Sequence, residues 1–254
     1  MSAPPTLCPS ALPGVWRGQA WADAQQRTVD TGHAALNAQL PGGGWPLGAL
    51  SEVLQPPQAH HEWTLLAPAL AAHLAGGAGR AVLVAPPLEP FAPALRQAGI
   101  AAQRLCCVHP APGGRDAGAA WACEQALRCA DVRAVLAWLP QASAAMLRRL
   151  QLAAAQQQRL LWVVRPEGMR QQTSPAPLRL WLQARGDVLQ VHVLKRRGPP
   201  LEQPVALPAR GERLAAALQA QAWRRRQAQM AAWGMAPPRE ESHALAGLAL
   251  AAGR

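Results

Sequence analysis

His60, His61 and Glu62 stand side by side where an apolar run ending in Val53-Leu54 gives way to a helix-like segment, Trp63 to Leu74. A strand–loop–helix junction binds phosphate when it reads G-x-x-x-x-G-K-[ST]. The glycines let backbone N–H groups curl around the anion, the lysine neutralises it and the hydroxyl holds Mg²⁺. Here the loop reads Gln55-Pro56-Pro57-Gln58-Ala59-His60-His61-Glu62. Gln55 and His60 occupy the two glycine positions, His61 the lysine position and Glu62 the hydroxyl position. Glu62 also brings a negative charge to a helix N-terminus, where a phosphate would need the opposite. The expectation is a degenerate phosphate loop, no bound cofactor and no metal.

Other constellations offer less. Zinc-binding helices carry His at i and i+4, whereas the adjacent His60 and His61 point apart. Cys106-Cys107 with His109 lacks a metal-ligand spacing. Ser143 and Ser174 have no nucleophile-elbow context, and Asp116 and Asp131 stand alone in predicted loops. No catalytic residue is expected.

Charge is more informative. Residues 1–127 carry 6 Arg and 7 acids, net −1, and residues 128–254 carry 19 Lys+Arg and 7 acids, net +12, together the +11 of the chain. Lys195 is the single lysine beside 24 arginines. A compositional preference for Arg accounts for that choice but not for its concentration in one half. A basic half points to a polyanion or an acidic partner. The basic candidates are Lys195-Arg196-Arg197, then Arg165 and Arg170 in the segment Arg165 to Pro175, and Arg224-Arg225-Arg226 beside Trp223. The Arg165–Pro175 segment supplies Arg, Gln, Thr and Ser donors suited to phosphate but has no aromatic for base stacking. Five cysteines with no C-x-x-C and no secretory signal read as reduced cytoplasmic thiols. No run of 18 apolar residues suggests a membrane span.

The elements that must position these groups alternate strand and helix. Strands are predicted at Ala49 to Leu54, Ala81 to Ala85, Arg104 to His109, Val132 to Leu139 and Arg159 to Arg165, with a closing pair at Leu178 to Arg185 and Val188 to Lys195 turned by Gly186-Asp187. Helices are predicted at Trp63 to Leu74, Phe91 to Ala98, Ala119 to Ala130 and Ser143 to Gln158. A short helix capped near Thr31 and a turn over Leu40 to Gly48 precede them. This order predicts a doubly wound α/β sheet, largely parallel and made mixed by the closing hairpin. Residues 1–28 read as an irregular N-terminal segment, 29–208 as the core domain, and 209–254 as a basic helix (Gly211 to Trp233) with a low-complexity tail.

Several landmarks in order carry a family resemblance. They are Trp16-Arg17-Gly18, Thr31-Gly32, Leu40 to Leu50 with Pro41-Gly42-Gly43-Gly44 and Pro46-Leu47-Gly48, and Pro86-Pro87 with Pro93-Ala94-Leu95. Next come Trp121 with Glu124 to Arg128, Val135 to Trp138, Leu147 to Ala153, Ser174-Pro175-Ala176, Leu178-Arg179-Leu180 and Lys195 to Gly198. Across roughly residues 15–200 the chain resembles ImuA, a family of RecA-like proteins associated with translesion DNA synthesis. The resemblance implies a RecA-like ATPase core and a role in SOS-induced mutagenesis. The implied partners are ImuB (a Y-family-polymerase-like protein), a second DnaE-type polymerase and RecA, with single-stranded DNA as a further contact. It implies a cytoplasmic protein, nucleoid-associated when in complex.

Against that pattern, Trp138 stands where a Mg²⁺-holding carboxylate ends the central strand, and Pro87 where a glutamate polarises water, with Glu89 close by. Loss of both beside the degenerate loop argues against ATPase activity. Trp138 is expected to serve packing. Lys195-Arg196-Arg197 resembles the place where RecA sends basic residues toward a neighbouring subunit, and Arg165 to Pro175 the place of its second DNA-binding loop. Residues 1–28 lack an obvious helix and strand for passing to a neighbour, so a monomer is expected. The reading is a non-catalytic RecA-fold adaptor organising polymerase partners. The alternative is a SulA-like cell-division inhibitor that binds a tubulin-like division protein.

Overall fold

A computed structural model describes residues 27–110 and 115–209, and residues 220, 221, 223–225 and 227. The residues to Ala209 belong to one compact unit and those from Arg210 to a second.

Among the described residues, the first unit begins with β1 (Thr28–Val29), α1 (Ala34–Asn37) and β2 (Trp45–Pro46), β1 pairing antiparallel with β2. The sheet that follows contains β3 (Ala49–Gln55), β4 (Arg80–Val84), β5 (Leu105–Val108), β6 (Val132–Trp138), β7 (Leu160–Pro166), β8 (Leu178–Arg185), β9 (Val188–Lys195) and β10 (Val205–Pro208). Its order is β10-β9-β8-β3-β7-β6-β4-β5. Neighbours from β5 through β8 are parallel, and β9 and β10 close the other edge antiparallel. The architecture is a mixed, mostly parallel sheet flanked by helices.

β3 is buried along all seven residues. The reason is its central position, with β7 on one side and β8 on the other. The helices are α2 (Glu62–Ala75), α3 (Ala92–Gln97), α4 (Arg115–Arg128) and α5 (Ala144–Gln157). Leu65, Leu66, Leu70 and Leu74 of α2 and Leu95 of α3 join Val53, Leu83, Leu136 and Trp162 in one core. Within it Trp45 meets Trp162 edge-on, centroids 5.8 Å apart at 86°. On the opposite face Cys123 and Leu127 of α4 and Leu147, Leu150 and Ala154 of α5 cover Leu50, Val82, Val135 and Leu161. Alternation along each strand sends successive side chains to opposite cores.

Three sequence expectations are corrected here. Thr31 does not cap α1. The N-cap is His33, and Thr31 Oγ1 instead donates to Asn37 Oδ1 at 2.7 Å. The segment Leu40 to Gly48 holds β2 as well as a turn. α4 begins at Arg115 rather than Ala119, since Gly118 is carried inside the helix. Trp121 of that helix is 62% exposed. Ser143 is the N-cap of α5, its hydroxyl accepting from Met146 N at 3.2 Å.

Trp16-Arg17-Gly18, the start of the C-terminal helix and Arg226 lie outside the described residues. The described residues from 220 to 227 are helical, with Trp223, Arg224 and Arg225 exposed. Among the described residues no helix is long and apolar enough to cross a membrane.

Candidate functional site

The parallel strands β3, β4, β6 and β7 end along one edge of the sheet. The loops that leave them carry the positions singled out by sequence. In open α/β sheets this edge is where ligands bind.

The β3–α2 loop is closed by its own side chains. Gln55, the last residue of β3, donates from Nε2 to Ala59 O at 2.8 Å and to Glu62 Oε2 at 2.6 Å. Its Oε1 accepts from His61 N at 3.1 Å. Glu62 opens α2 and is fully buried. Trp138 Nε1 donates to Glu62 Oε1 at 3.2 Å, bringing in the end of β6. His60 Nδ1 lies 3.7 Å from the same oxygen, a charge pair whenever the ring is protonated. His61 is the helix N-cap and makes no side-chain cap bond.

Three positions treated as separate losses are therefore one bonded unit. The amide of Gln55 spans the loop where a working phosphate loop offers open backbone. The Glu62 carboxylate takes the helix N-terminus that an anion would otherwise use. Two charge-assisted N–H bonds offset its burial. Trp138 packs as expected, its ring 6.3 Å from that of Trp63, but the sequence reading missed that its indole N–H holds Glu62. The position where the resemblance expects a water-activating glutamate holds no acid. Pro87 is exposed, and Glu89, 77% exposed, pairs with His109 Nε2 at 3.2 Å.

Beside this unit, two arginines clasp one buried carboxylate. Glu52 of β3 accepts from Arg165 Nη1 of β7 at 2.8 Å and from Arg179 Nε of β8 at 2.5 Å. Arg165 is 2% exposed and also donates to Ala142 O at 2.8 Å and Gln172 Oε1 at 3.2 Å. Arg179 reaches the carbonyls of Met169 and Arg170. This corrects the expectation for Arg165, which is a buried tie and not an exposed donor for DNA. Its Nε is buried and has no hydrogen-bond partner among the described residues.

Between the two clusters lies a cleft of about 440 Å³. Its walls include Pro56, Pro57, Pro87, Pro110, Pro140, Pro166 and Trp138, and its polar lining includes Gln55, His60, Asp116 and Arg165. Burial raises the Asp116 carboxyl above the usual range, opposed by the bond from Gln141 N and by the Arg165 charge. Ala85, also in the wall, adopts φ +54°, where a residue with a Cβ is strained.

The remaining basic candidates separate. Arg170 is exposed and lies 4.0 Å over the ring of Trp181. Trp181 in turn stacks on His192 at 4.5 Å and donates to Glu167 Oε2 at 3.0 Å. The 165–175 segment thus has aromatic company from β8 and β9, which its own sequence does not reveal. Lys195 donates to Ser174 O at 3.0 Å. Arg196 ties to Pro199 O at 2.9 Å and to Gln39 O, so it acts as a brace between loops. Arg197 is exposed. Arg149 and Arg128 both bind Glu124, at 2.5 and 2.6 Å. Burial pushes the Cys123 thiol far up, which keeps it inert. Among the described residues no cluster of His, Cys, Asp and Glu could hold a metal.

No family model matches this chain, and no curated protein matches it.

Proposed function

We propose that this chain is a non-catalytic RecA-fold adaptor of a translesion DNA synthesis complex, acting through its surfaces rather than through nucleotide chemistry. The observation that carries the reading is the bonded unit of Gln55, Glu62 and Trp138 at the strand–loop–helix junction. On this reading, protein side chains bond to one another at the junction where a phosphate and its metal would otherwise be held. Further support comes from β3. It lies inside a mostly parallel sheet and feeds the first long helix, as the strand before a phosphate loop does.

The partners follow from the resemblance to ImuA: ImuB, a second DnaE-type polymerase and RecA. The exposed basic groups this reading offers to a partner or single-stranded DNA are Arg170, Lys195, Arg197, Arg224 and Arg225. The protein is cytoplasmic and takes no cofactor.

The test is a tagged pull-down from DNA-damaged cells, with and without nuclease. Recovery of polymerases and RecA supports the adaptor. Recovery of a tubulin-like division protein instead replaces it with the SulA-like reading. Substituting Lys195, Arg196 and Arg197 together by Ala should reduce polymerase or RecA recovery, while unchanged recovery removes that segment from the interface.

A further inference from the structure

The β8–β9 hairpin carries a stack of flat side chains on a face of the sheet that no helix core uses. Alternation along its strands sends Leu180, Leu182, Leu189, Val191 and Val193 into the core shared with α2. Trp181, Gln183 and Arg185 of β8 and Gln190 and His192 of β9 therefore take the opposite face. On that side α4 and α5 build their core over β3, β4, β6 and β7, with no residue of β8, β9 or β10. The short helical turn Glu167–Gln171 reaches this part of the sheet instead.

The stack is fixed before anything binds. Trp181 and His192 are cross-strand neighbours, their rings 4.5 Å apart at 32°. The Arg170 guanidinium lies over the indole, 4.0 Å from its centroid. Glu167 anchors both partners. Its carboxylate accepts from Trp181 Nε1 at 3.0 Å, and its carbonyl accepts from Arg170 Nε at 3.2 Å. Gln183 and Gln190 form the next facing pair along the hairpin, and Arg185 and Val188 the one beyond. Arg170 and Arg185 are exposed, while the two rings and the two glutamines are half-buried. Burial lowers the His192 pKa, and the Arg185 and Arg170 charges lower it further, so both guanidiniums stand near the ring. His192 Nε2 is buried, so the imidazole contributes a flat surface and not that nitrogen.

Chemistry and charge select the occupant. Guanidinium planes and aromatic rings are surfaces on which unpaired nucleobases stack. From Trp181 to Arg185 and from Val188 to His192, the outward side chains include an arginine and no acid. The acids nearby are Glu167, whose carboxylate is taken by Trp181, and Asp187 in the hairpin turn. An apolar helix laid here would bury the Gln183 and Gln190 amides without partners. An acidic peptide would meet the arginines and leave the stack unused. We infer that the β8–β9 face binds single-stranded nucleic acid, with bases stacked on the Arg170–Trp181–His192 surface and the phosphate backbone drawn to Arg185. This rests on the nucleic-acid contact of the proposed function and gives it a location. The two fail separately: polymerase recovery that resists nuclease keeps the adaptor even if this face binds no strand.

The test is fluorescence anisotropy of the full chain with a labelled oligo-dT of about 15 nucleotides, over a salt series. Duplex of the same length, an abasic oligomer and polyglutamate are the comparisons, and oligo-rU distinguishes RNA from DNA as the strand. Plain charge attraction favours the duplex, whose phosphates are denser, whereas stacking needs unpaired bases. Oligo-dT should therefore bind about tenfold tighter than either the duplex or the abasic oligomer. Trp181→Ala should weaken oligo-dT about fivefold or more with no change in charge. His192→Ala, which leaves the Glu167 bonds in place, repeats that test should Trp181→Ala fail to fold. Arg185→Ala, at an exposed position, should lower the slope of log affinity against log salt by about 0.7. Arg148→Ala, an exposed arginine on α5, should leave that slope unchanged. Duplex or abasic oligomer binding as tightly as oligo-dT, displacement by polyglutamate at equal charge, or affinity unchanged in the hairpin variants overturns the assignment.

Discussion

Removing the Glu52 carboxylate is the sharpest test of how the sheet is held. Glu52→Gln keeps the size of the side chain and deletes its charge. Two guanidiniums, Arg165 at 1% and Arg179 at 9% side-chain exposure, then stay buried around a neutral amide. Breaking a buried pair by removing one partner costs about 3–5 kcal/mol, because the remaining charge loses its compensation while staying out of water. Here two cations are left, so the upper part of that range is expected. A domain has about 5–15 kcal/mol in total, so the loss is a large share. For a unit of this size, about 2–4 °C of melting temperature is lost per kcal/mol, a drop of roughly 10–20 °C. The chain provides its own control. Glu124 also binds two arginines, but Arg128 and Arg149 are 54% and 66% exposed. Glu124→Gln should cost about 0–1 kcal/mol, and that cost should shrink in high salt. Thermal unfolding of both variants at low and high NaCl is the assay. A Glu52→Gln drop as small as that of Glu124→Gln, or one erased by salt, would refute the claim that the triad is a buried tie.

Trp138→Phe should destabilise the protein by about 1–3 kcal/mol by taking a donor from a buried carboxylate, read as a shift in urea midpoint; in a Glu62→Met background the same change should cost less. His73, at the end of α2, has its pKa lowered by burial and then by the Arg133 charge. The unfolded chain therefore takes up that proton first. Stability from this group is full above pH about 6.5 and falls as pH drops toward the folded value, by at most about 1.4 kcal/mol per pH unit. Denaturation series at several pH values should show a shallower acid-side slope in His73→Gln, and an unchanged slope rejects the role. Gly32→Ala should destabilise strongly, because φ is +80° and an added Cβ would lie 2.3 Å from Pro68 Cβ; a melting curve like that of the parent protein contradicts this. No ATP hydrolysis is expected, and an activity lost on His61→Ala would reverse the reading of the loop.

Much of the fold was legible because it rests on local pattern. The runs Leu178/Leu180/Leu182 and Leu189/Val191/Val193 alternate cleanly, and β8 and β9 were placed to the residue. Continuous apolar runs gave β3, β6 and β7 to within one residue at each end. β10 was missed, since three residues between Pro204 and Pro208 carry little signal of their own and pair only because β9 offers an edge. The site was legible only by subtraction. Position by position, Gln55, Glu62 and Trp138 read as departures from a motif. That they bond to one another depends on β6 ending beside the start of α2, a contact 76 residues apart in sequence. Arg165 misled for a related reason. Its place in a basic, polar segment suggested solvent, whereas its position on β7 aims it at a glutamate 113 residues away.

The Gln55–Glu62–Trp138 unit also bears on how such a chain can change. Gln55 and Trp138 each bond to Glu62, and the Glu62 carboxylate depends on both donors. Replacing Gln55 by Gly leaves Glu62 Oε2 without its donor and His61 N without its acceptor. Replacing Glu62 by Thr strands the Trp138 indole, and replacing Trp138 by Asp sets a second carboxylate against the first. Any single step at these three positions toward a phosphate-binding loop therefore passes through a less stable protein. Only simultaneous replacement crosses that valley, so the arrangement works as a one-way latch on the sequence.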